Sequence, residues 1–332
     1  MTKIRLRAAA TVLSAVMAAS LLSATTANAT GSEADDIVQI LESVPTEIPV
    51  MQDVTTDGAT DLVAPGSASS DLAAIEDVLD VSVSALGENP LSLELLAAQD
   101  AATVSVSQDG VEVIDNGDNS LTVPLNRADG SLQVVFVIET TDAPTEYAID
   151  VDLPEGAVLT QDEGGALLAT GADGQLALGV APAWAYDAAG TAVPTHYVVQ
   201  GSEITQVVEH TSGDYQYPIA ADPWFGKRLF SPMTVNRNGT FAGKNVYSGR
   251  LTTWGVAMGL SPQGLFIMGS AGLAEFTSQW ATVRNSVSLQ QQYQCHAVWG
   301  RAIIGAGFHW DLELSRPTNG NYLNVFAHRC NW

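Results

Sequence analysis

Cysteine and basic residues are both scarce in this chain, and each shortage excludes a class of protein. The two cysteines lie far from the N-terminus, which excludes lipid attachment at a new N-terminal cysteine. Arg127 is the one Lys or Arg between residues 30 and 223, and so acidic a region repels nucleic acid. The chain also lacks G-x-S-x-G, H-E-x-x-H, C-x-x-C and a glycine-rich phosphate loop, and we predict no catalytic residues, no metal site and no cofactor.

The first 29 residues have the order of a cleaved export signal. Lys3, Arg5 and Arg7 give a positive start, an uncharged run follows to about residue 22, and Ala27 and Ala29 supply the small residues that a signal peptidase recognises. The uncharged run is too short to cross a bilayer comfortably. We predict a Sec-type signal peptide, cleavage after Ala29, and a secreted protein without a stable membrane anchor.

Charge divides the rest of the chain at Pro223. Residues 30–223 hold 34 Asp and Glu against one basic residue, whereas residues 224–332 hold nine Lys and Arg against three acids. Three interpretations are open: a solvated surface, an acidic region that carries or masks the basic one, and loose calcium binding by the carboxylates. Residues 115–119 suggest a calcium loop, but they lack the alternation and the late Glu of that motif.

The periodicity predicts a β-rich acidic region and a mixed basic one. Glu33–Val44 predicts a short helix, and residues 30–70 as a whole read as that helix and a flexible linker. Short alternating runs separated by x-Asp-Gly turns then predict an antiparallel sandwich or barrel within residues 71–223.

Residues 224–332 are predicted to form a small α+β domain. We predict strands at 229–240, 249–260, 265–268 and 310–314, a helix or two within 273–296, and a short final element at 322–326. The uncharged run from Leu251 to Ala274 is long enough for a membrane helix, but its glycines and proline are equally typical of a buried hairpin.

Cys295 and Cys330 are predicted to form one disulfide, because the compartment is oxidising. The bridge would close a loop of about 36 residues and contribute roughly 3–4 kcal/mol in the chain-entropy model. A nucleophilic Cys295 beside His296 is the alternative, which the second cysteine disfavours.

Two stretches resemble parts of exported actinobacterial proteins. The Y-P-x-x-A-D-P-W motif at 217–224 ends a region that resembles an uncharacterised β region placed before many different C-terminal modules. The sequence QQYQCH at 291–296, WDLELSRP at 310–317 and Cys330-Asn331 resemble a family known only as a domain of unknown function, the 2599 family. The resemblance identifies the modules but implies no activity.

The polar residues within this resemblance are His296, Asp311, Glu313 and Arg316. Asp311 and Glu313 would share one face of a strand, and with His296 they could perform acid–base chemistry. The simpler interpretation is that Arg316 pairs with one carboxylate and that His296 packs beside the disulfide.

Our first hypothesis is a non-enzymatic exported binding protein, whose basic domain contacts a cell-wall or membrane-surface partner. The alternatives are an antibacterial or membrane-active effector released by cleavage near residue 223, and a hydrolase of an extracellular polymer.

Overall fold

The computed structural model describes residues 31–46, 48–56, 62–83, 90–172, 176–236, 243–260, 264–299 and 309–332. The predicted signal peptide and its cleavage site after Ala29 lie outside the described residues.

The N-terminal two thirds of the chain are mainly β, as predicted. Two helices, α1 and α2, and a 3-10 turn at Leu96–Ala98 accompany sixteen strands among the described residues. The helices are α1 Gly31–Ser43 and α2 Leu72–Leu79. The strands are β1 Ser67–Ser69, β2 Asp80–Val83, β3 Leu91–Glu94, β4 Thr103–Val106, β5 Glu112–Asp115, β6 Ser120–Asn126, β7 Leu132–Ile138, β8 Glu146–Val151, β9 Val158–Gln161, β10 Leu167–Thr170, β11 Leu176–Val180, β12 Trp184–Tyr186, β13 Thr195–Gln200, β14 Glu203–Val208, β15 Ile219–Asp222 and β16 Trp224–Gly226.

These strands form two antiparallel sheets within the described part of the chain. The larger sheet has the order β1-β4-β5-β6-β7-β16-β11-β10-β9, with β15 paired to β7 and β12 paired to β15. The smaller sheet has the order β13-β14-β8-β3-β2. The predicted x-Asp-Gly turns join several of the strands, and Gly110 and Gly130 adopt φ values of +84° and +80° there, which a side chain would disfavour.

Strand β7 is buried on both faces, because each face meets a different partner. Leu132, Val134, Phe136 and Ile138 share one core cluster with side chains of the smaller sheet. Val135 and Val137, which point the other way, belong to another cluster, which includes one face of α1. Such double burial explains why this strand is apolar at every position except Gln133 rather than alternating.

The segment predicted as a helix and a flexible linker contacts the larger sheet. Helix α1 buries Ala34, Ile37 and Leu41 against it, as the helical spacing of the apolar residues requires. Further along, Val54 forms a β-bridge with Arg127, and β1 pairs with β4. The described parts of this segment therefore form part of the β region's core and sheet.

The C-terminal third combines one small antiparallel sheet with a group of helices. Its elements are β17 Phe230–Asn236, β18 Val246–Leu251, α3 Thr253–Leu260, α4 Gly264–Gln279, α5 Ala281–Arg284, α6 Val287–Trp299, β19 His309–Glu313 and α7 Val325–His328. The sheet has the order β17-β18-β19, and the helices α4 and α6 share an aromatic core with it.

Two predicted strands in this third are wrong. The run at 249–260 is strand only as far as Leu251 and then turns into α3, and 265–268 lies within α4. Thr252 ends the strand and caps the helix, because its hydroxyl accepts a hydrogen bond from the backbone N–H of Gly255 at 2.8 Å. Among the described residues, no helix is both long and apolar enough to cross a membrane.

Candidate functional site

The predicted polar cluster lies where β19 crosses α6. The alternation of β19 turns Trp310 and Leu312 towards the buried helix side and leaves Asp311 and Glu313 on the other face. The shared face predicted for the two carboxylates is therefore present. On that face Glu313 is paired with Arg316, and Asp311 is hydrogen-bonded to Ser248.

Glu313 and Arg316 form an ion pair through the Nε of Arg316. The guanidinium also donates to the backbone carbonyl of Trp332 and, at 3.4 Å, to Oδ1 of Asn331. The same side chain thus ties β19 to the last residues of the chain. Partial burial lowers the pKa of Arg316, although the group remains a cation at any ordinary pH.

Asp311 accepts a hydrogen bond from the hydroxyl of Ser248, its cross-strand neighbour on β18. Such a pair is a common stabilising contact between antiparallel strands. Asp311 is exposed, so the bond joins two surface groups.

His296 lies on the helix side of β19. Its ring stacks on Trp310 with centroids 5.6 Å apart and is almost completely buried. Burial lowers the pKa of His296 to about 4, despite the nearby charge of Asp311, and the Arg316 charge lowers it further. A neutral, stacked imidazole behind the strand is typical of a packing residue, since the two carboxylates point away from it.

The structure therefore brings Glu313 and Arg316 into direct contact, and it separates His296 from the carboxylate face of β19. This arrangement supplies cross-links between β18, β19, α6 and the C-terminus. Gln292 adds another link, since its amide donates to the Glu313 carbonyl at 3.2 Å and its Oε1 accepts from the Glu313 N–H at 2.8 Å.

The predicted disulfide between Cys295 and Cys330 is confirmed, with Cα atoms 5.5 Å apart. It lies in a small buried cluster with Val325, and the rings of Trp299 and Trp332 pack against that cluster. Cys295 is consequently not a free nucleophile.

A buried polar network that sequence reasoning missed centres on Arg127. Its guanidinium donates to the carbonyl of Val50 at 2.6 Å, to the carbonyl of Gln52, and to the side chain of Gln133. Gln133 in turn donates to the carboxylate of Asp222. Burial lowers the pKa of Arg127 to about 10, and burial also raises the pKa of Asp222 well above its usual range.

This network shows what the 217–224 motif does structurally. The guanidinium carbon of Arg127 lies over the Trp224 ring, 4.3 Å from the ring centroid. The indole N–H of Trp224 donates to the Ser131 hydroxyl at 3.0 Å. Tyr217 at the other end of the motif bonds to the ring of His210 at 2.8 Å. The signal available in the sequence was the lone Arg127 in an acidic region, because such a cation must have internal partners when it is buried.

The suggested calcium loop at 115–119 has its carboxylates engaged within the turn. Asp115 accepts from the N–H of Gly117 at 2.8 Å, and Asp118 accepts from the N–H and the hydroxyl of Ser120 at 3.0 and 2.6 Å. Within the described ranges, no three His, Cys, Asp or Glu side chains lie close enough to hold a metal ion. Loose calcium binding stays a prediction.

The comparisons with known proteins concern the C-terminal part. No curated protein and no solved structure matches the chain. Residues 267–332 match the family model described as "Protein of unknown function (DUF2599)", and this segment includes the disulfide and the four predicted polar residues, which supports a C-terminal domain of unknown function.

Proposed function

We propose that this protein is an exported, non-enzymatic binding protein, in which the acidic β region rigidly carries the basic C-terminal domain and presents it to an anionic partner outside the cell. The observation that carries the proposal is the continuous packing between the two regions around Trp254. Export is supported by the leader sequence of residues 1–29.

The Trp254 ring is fully buried against two glycines of the larger sheet. A Cβ added to Gly179 would lie 2.6 Å from Cη2 of Trp254, and one added to Gly226 would overlap the same ring. The indole therefore occupies a slot that only glycine leaves open on β11 and β16. A helix of the basic domain is in this way packed directly on the larger sheet, on Gly179 of the acidic region and on Gly226 of the adjacent strand β16.

Two polar contacts accompany the ring. The backbone N–H of Trp254 donates to the carboxylate of Asp129 at 3.0 Å, and the hydroxyl of Thr253 donates to Asp53 at 3.0 Å. Carboxylates near the N-terminus of α3 are favoured by the helix dipole. The acidic region thus uses two of its carboxylates to orient the basic domain.

The exposure of the basic side chains favours an acidic region that presents the basic domain over one that masks it. Lys244, Arg250, Arg284 and Arg329 are exposed, although the acidic region is packed against the same domain. Residues 219–226 are buried, so a protease could cleave near residue 223 only after local unfolding. Both observations favour a carrier that stays attached.

Binding is favoured over hydrolysis, because the four predicted polar residues of the matched segment make structural contacts. Glu313 pairs with Arg316, Asp311 pairs with Ser248, and His296 is stacked and neutral. We also propose that the larger and the smaller sheet of the acidic region form a sandwich, since inward side chains of both sheets share one core cluster.

The test uses the mature chain, residues 30–332, and immobilised dextran sulfate as the probe at pH 7.5 and low salt. We expect retention despite the net negative charge, and elution as salt screens the contact. A Lys244→Gln/Arg284→Gln variant should lose retention. A Val158→Asp/Gln200→Glu variant changes the net charge by the same two units on exposed positions of the acidic region and should keep it.

Unretained wild-type protein would overturn the proposal, and so would equal weakening in both variants, because net charge rather than the basic domain would then govern binding. Export is checked by the mass of protein recovered from culture fluid, which should correspond to a chain that begins at Thr30.

A further inference from the structure

Exposed apolar side chains lie beside the end of α6 and on the helix α7. Leu323 and Phe326 are 42% and 93% exposed, and we call these two residues together with Trp299 the Phe326 patch. Trp299 joins them, because its ring faces Phe326 at 6.4 Å and its indole N–H donates to the Leu323 carbonyl at 2.8 Å. A nearly fully exposed phenylalanine in such a group indicates a contact surface.

The patch is held on a rigid base. Val325, directly before Phe326, is buried against the Cys295–Cys330 disulfide. The cross-link and the Trp299 hydrogen bond fix the short helix that displays Phe326. A preorganised apolar group gains more on docking than a mobile one, since less conformational entropy is lost.

The charge beside the patch is positive. Residues 314–332 contain Arg316 and Arg329 and no Asp or Glu, and because Glu313 offsets the charge of Arg316, the positive charge comes from Arg329. Arg329 is exposed and directly follows α7. Exposed aromatic and aliphatic side chains next to a cation are the combination that enters the headgroup region of an anionic bilayer.

We infer that the Phe326 patch docks the protein on an anionic lipid surface, with Phe326 inserted among the acyl chains and Arg329 at the headgroups. This inference rests on the proposed function and specifies its partner. A lipid surface fits better than a sugar polymer or an acidic peptide, because Leu323 and Phe326 are exposed beside Trp299 and a polar polymer would leave them without an apolar partner.

The strongly acidic region does not oppose this contact at physiological ionic strength. Among the described residues, the cluster beneath the patch contains only residues from 295 onwards, so none of the described residues of the acidic region takes part in it. At 0.15 M salt, charges more than about 8 Å from the headgroups are largely screened.

The experiment measures co-sedimentation of the mature chain with vesicles of phosphatidylcholine and phosphatidylglycerol, 3:1, in 0.15 M NaCl, against vesicles of phosphatidylcholine alone. We expect preferential binding to the anionic vesicles. Phe326→Ser should weaken it by about tenfold to a hundredfold, the partition expected of one phenylalanine side chain. Arg329→Asn removes one charge while suiting the left-handed backbone at φ 48°, and should weaken binding by about fivefold.

Val287→Ser is the matched control, because Val287 is 63% exposed at the other end of α6. It should bind like the wild type. Equal binding of Phe326→Ser and wild type would overturn the inference, as would equal binding to both vesicle types, or binding to purified cell-wall polymer without binding to vesicles. Retention on dextran sulfate without vesicle binding would overturn the lipid inference alone and leave the proposed function standing.

Discussion

Truncating Trp254 should both destabilise the protein and separate its two regions. The Trp254→Ala change removes a ring with no exposed surface, which packs on the backbone of Gly179 and Gly226. Buried tryptophan truncations cost about 3–5 kcal/mol, because the transfer free energy is lost and a cavity remains. That is a large share of the roughly 5–15 kcal/mol that stabilises a typical domain.

The assay is urea unfolding followed by both near-UV circular dichroism and limited proteolysis. The wild type should give coincident transitions, since the regions share this contact, whereas Trp254→Ala should give two that differ in midpoint. Trp254→Phe, which keeps a ring in the slot, should cost less and retain one transition. Trp299→Ala, in the separate cluster at the disulfide, should also leave the transitions coincident.

The reasoning is refuted if Trp254→Ala costs less than about 1 kcal/mol, since a fully packed indole cannot be removed so cheaply. It is equally refuted if the wild type already unfolds in two separated steps.

Three further changes test other parts of the structure. Gly226→Ala should cost about 1–3 kcal/mol by overpacking, because the added Cβ overlaps the Trp254 ring. His296→Gln should reduce the loss of stability at acid pH. The pKa of His296 is about 4 in the folded protein against 6.5 in the unfolded chain, so the unfolded state binds the proton first. Up to about 3 kcal/mol of the free energy of unfolding is therefore lost in the wild type as pH falls from 6.5 to 4. Cys330→Ser should cost about 3–4 kcal/mol, because it opens the loop closed at Cys295.

Each of these has its own control, measured by urea unfolding. A Cβ added at Gly259 meets no described residue within 4 Å, so Gly259→Ala should be neutral or slightly stabilising, and an equal loss in both glycine variants would argue against overpacking. If the wild type and His296→Gln lost the same free energy of unfolding between pH 6.5 and 4, His296 would not be the group responsible for that loss. Reductant should lower the stability of the wild type and leave Cys330→Ser unchanged.

The sheets of the acidic region were predictable from period-2 patterns and turn residues. Leu132–Ile138 is a strand with the predicted bounds, and Gly201 has the positive φ that its turn requires. The sequence of each strand and its turn was sufficient for these predictions, because the strands are short and several end at a turn marked by glycine or aspartate.

The failures have a common physical cause, which is that a distant partner decided the local structure. Helix α3 carries Gly255 and Gly259, which weaken any local helical signal, and it forms because Thr252 and Asp129 cap it and Trp254 has a slot on the sheet. At the candidate cluster, too, the sequence left two interpretations open, and strand alternation places the carboxylates of Asp311 and Glu313 on the face of β19 opposite His296.

The position of β16 between β7 and β11 has a practical consequence for anyone who wishes to divide this molecule. Charge alone suggests a cut after Pro223, yet a fragment that starts at Trp224 takes an interior strand with it and leaves β7 and β11 facing a gap with unsatisfied backbone groups. A cut after Gly226 keeps that ladder whole. The N-terminal half would then expose the slot at Gly179 and Gly226, and two separately produced halves should reassociate there through Trp254.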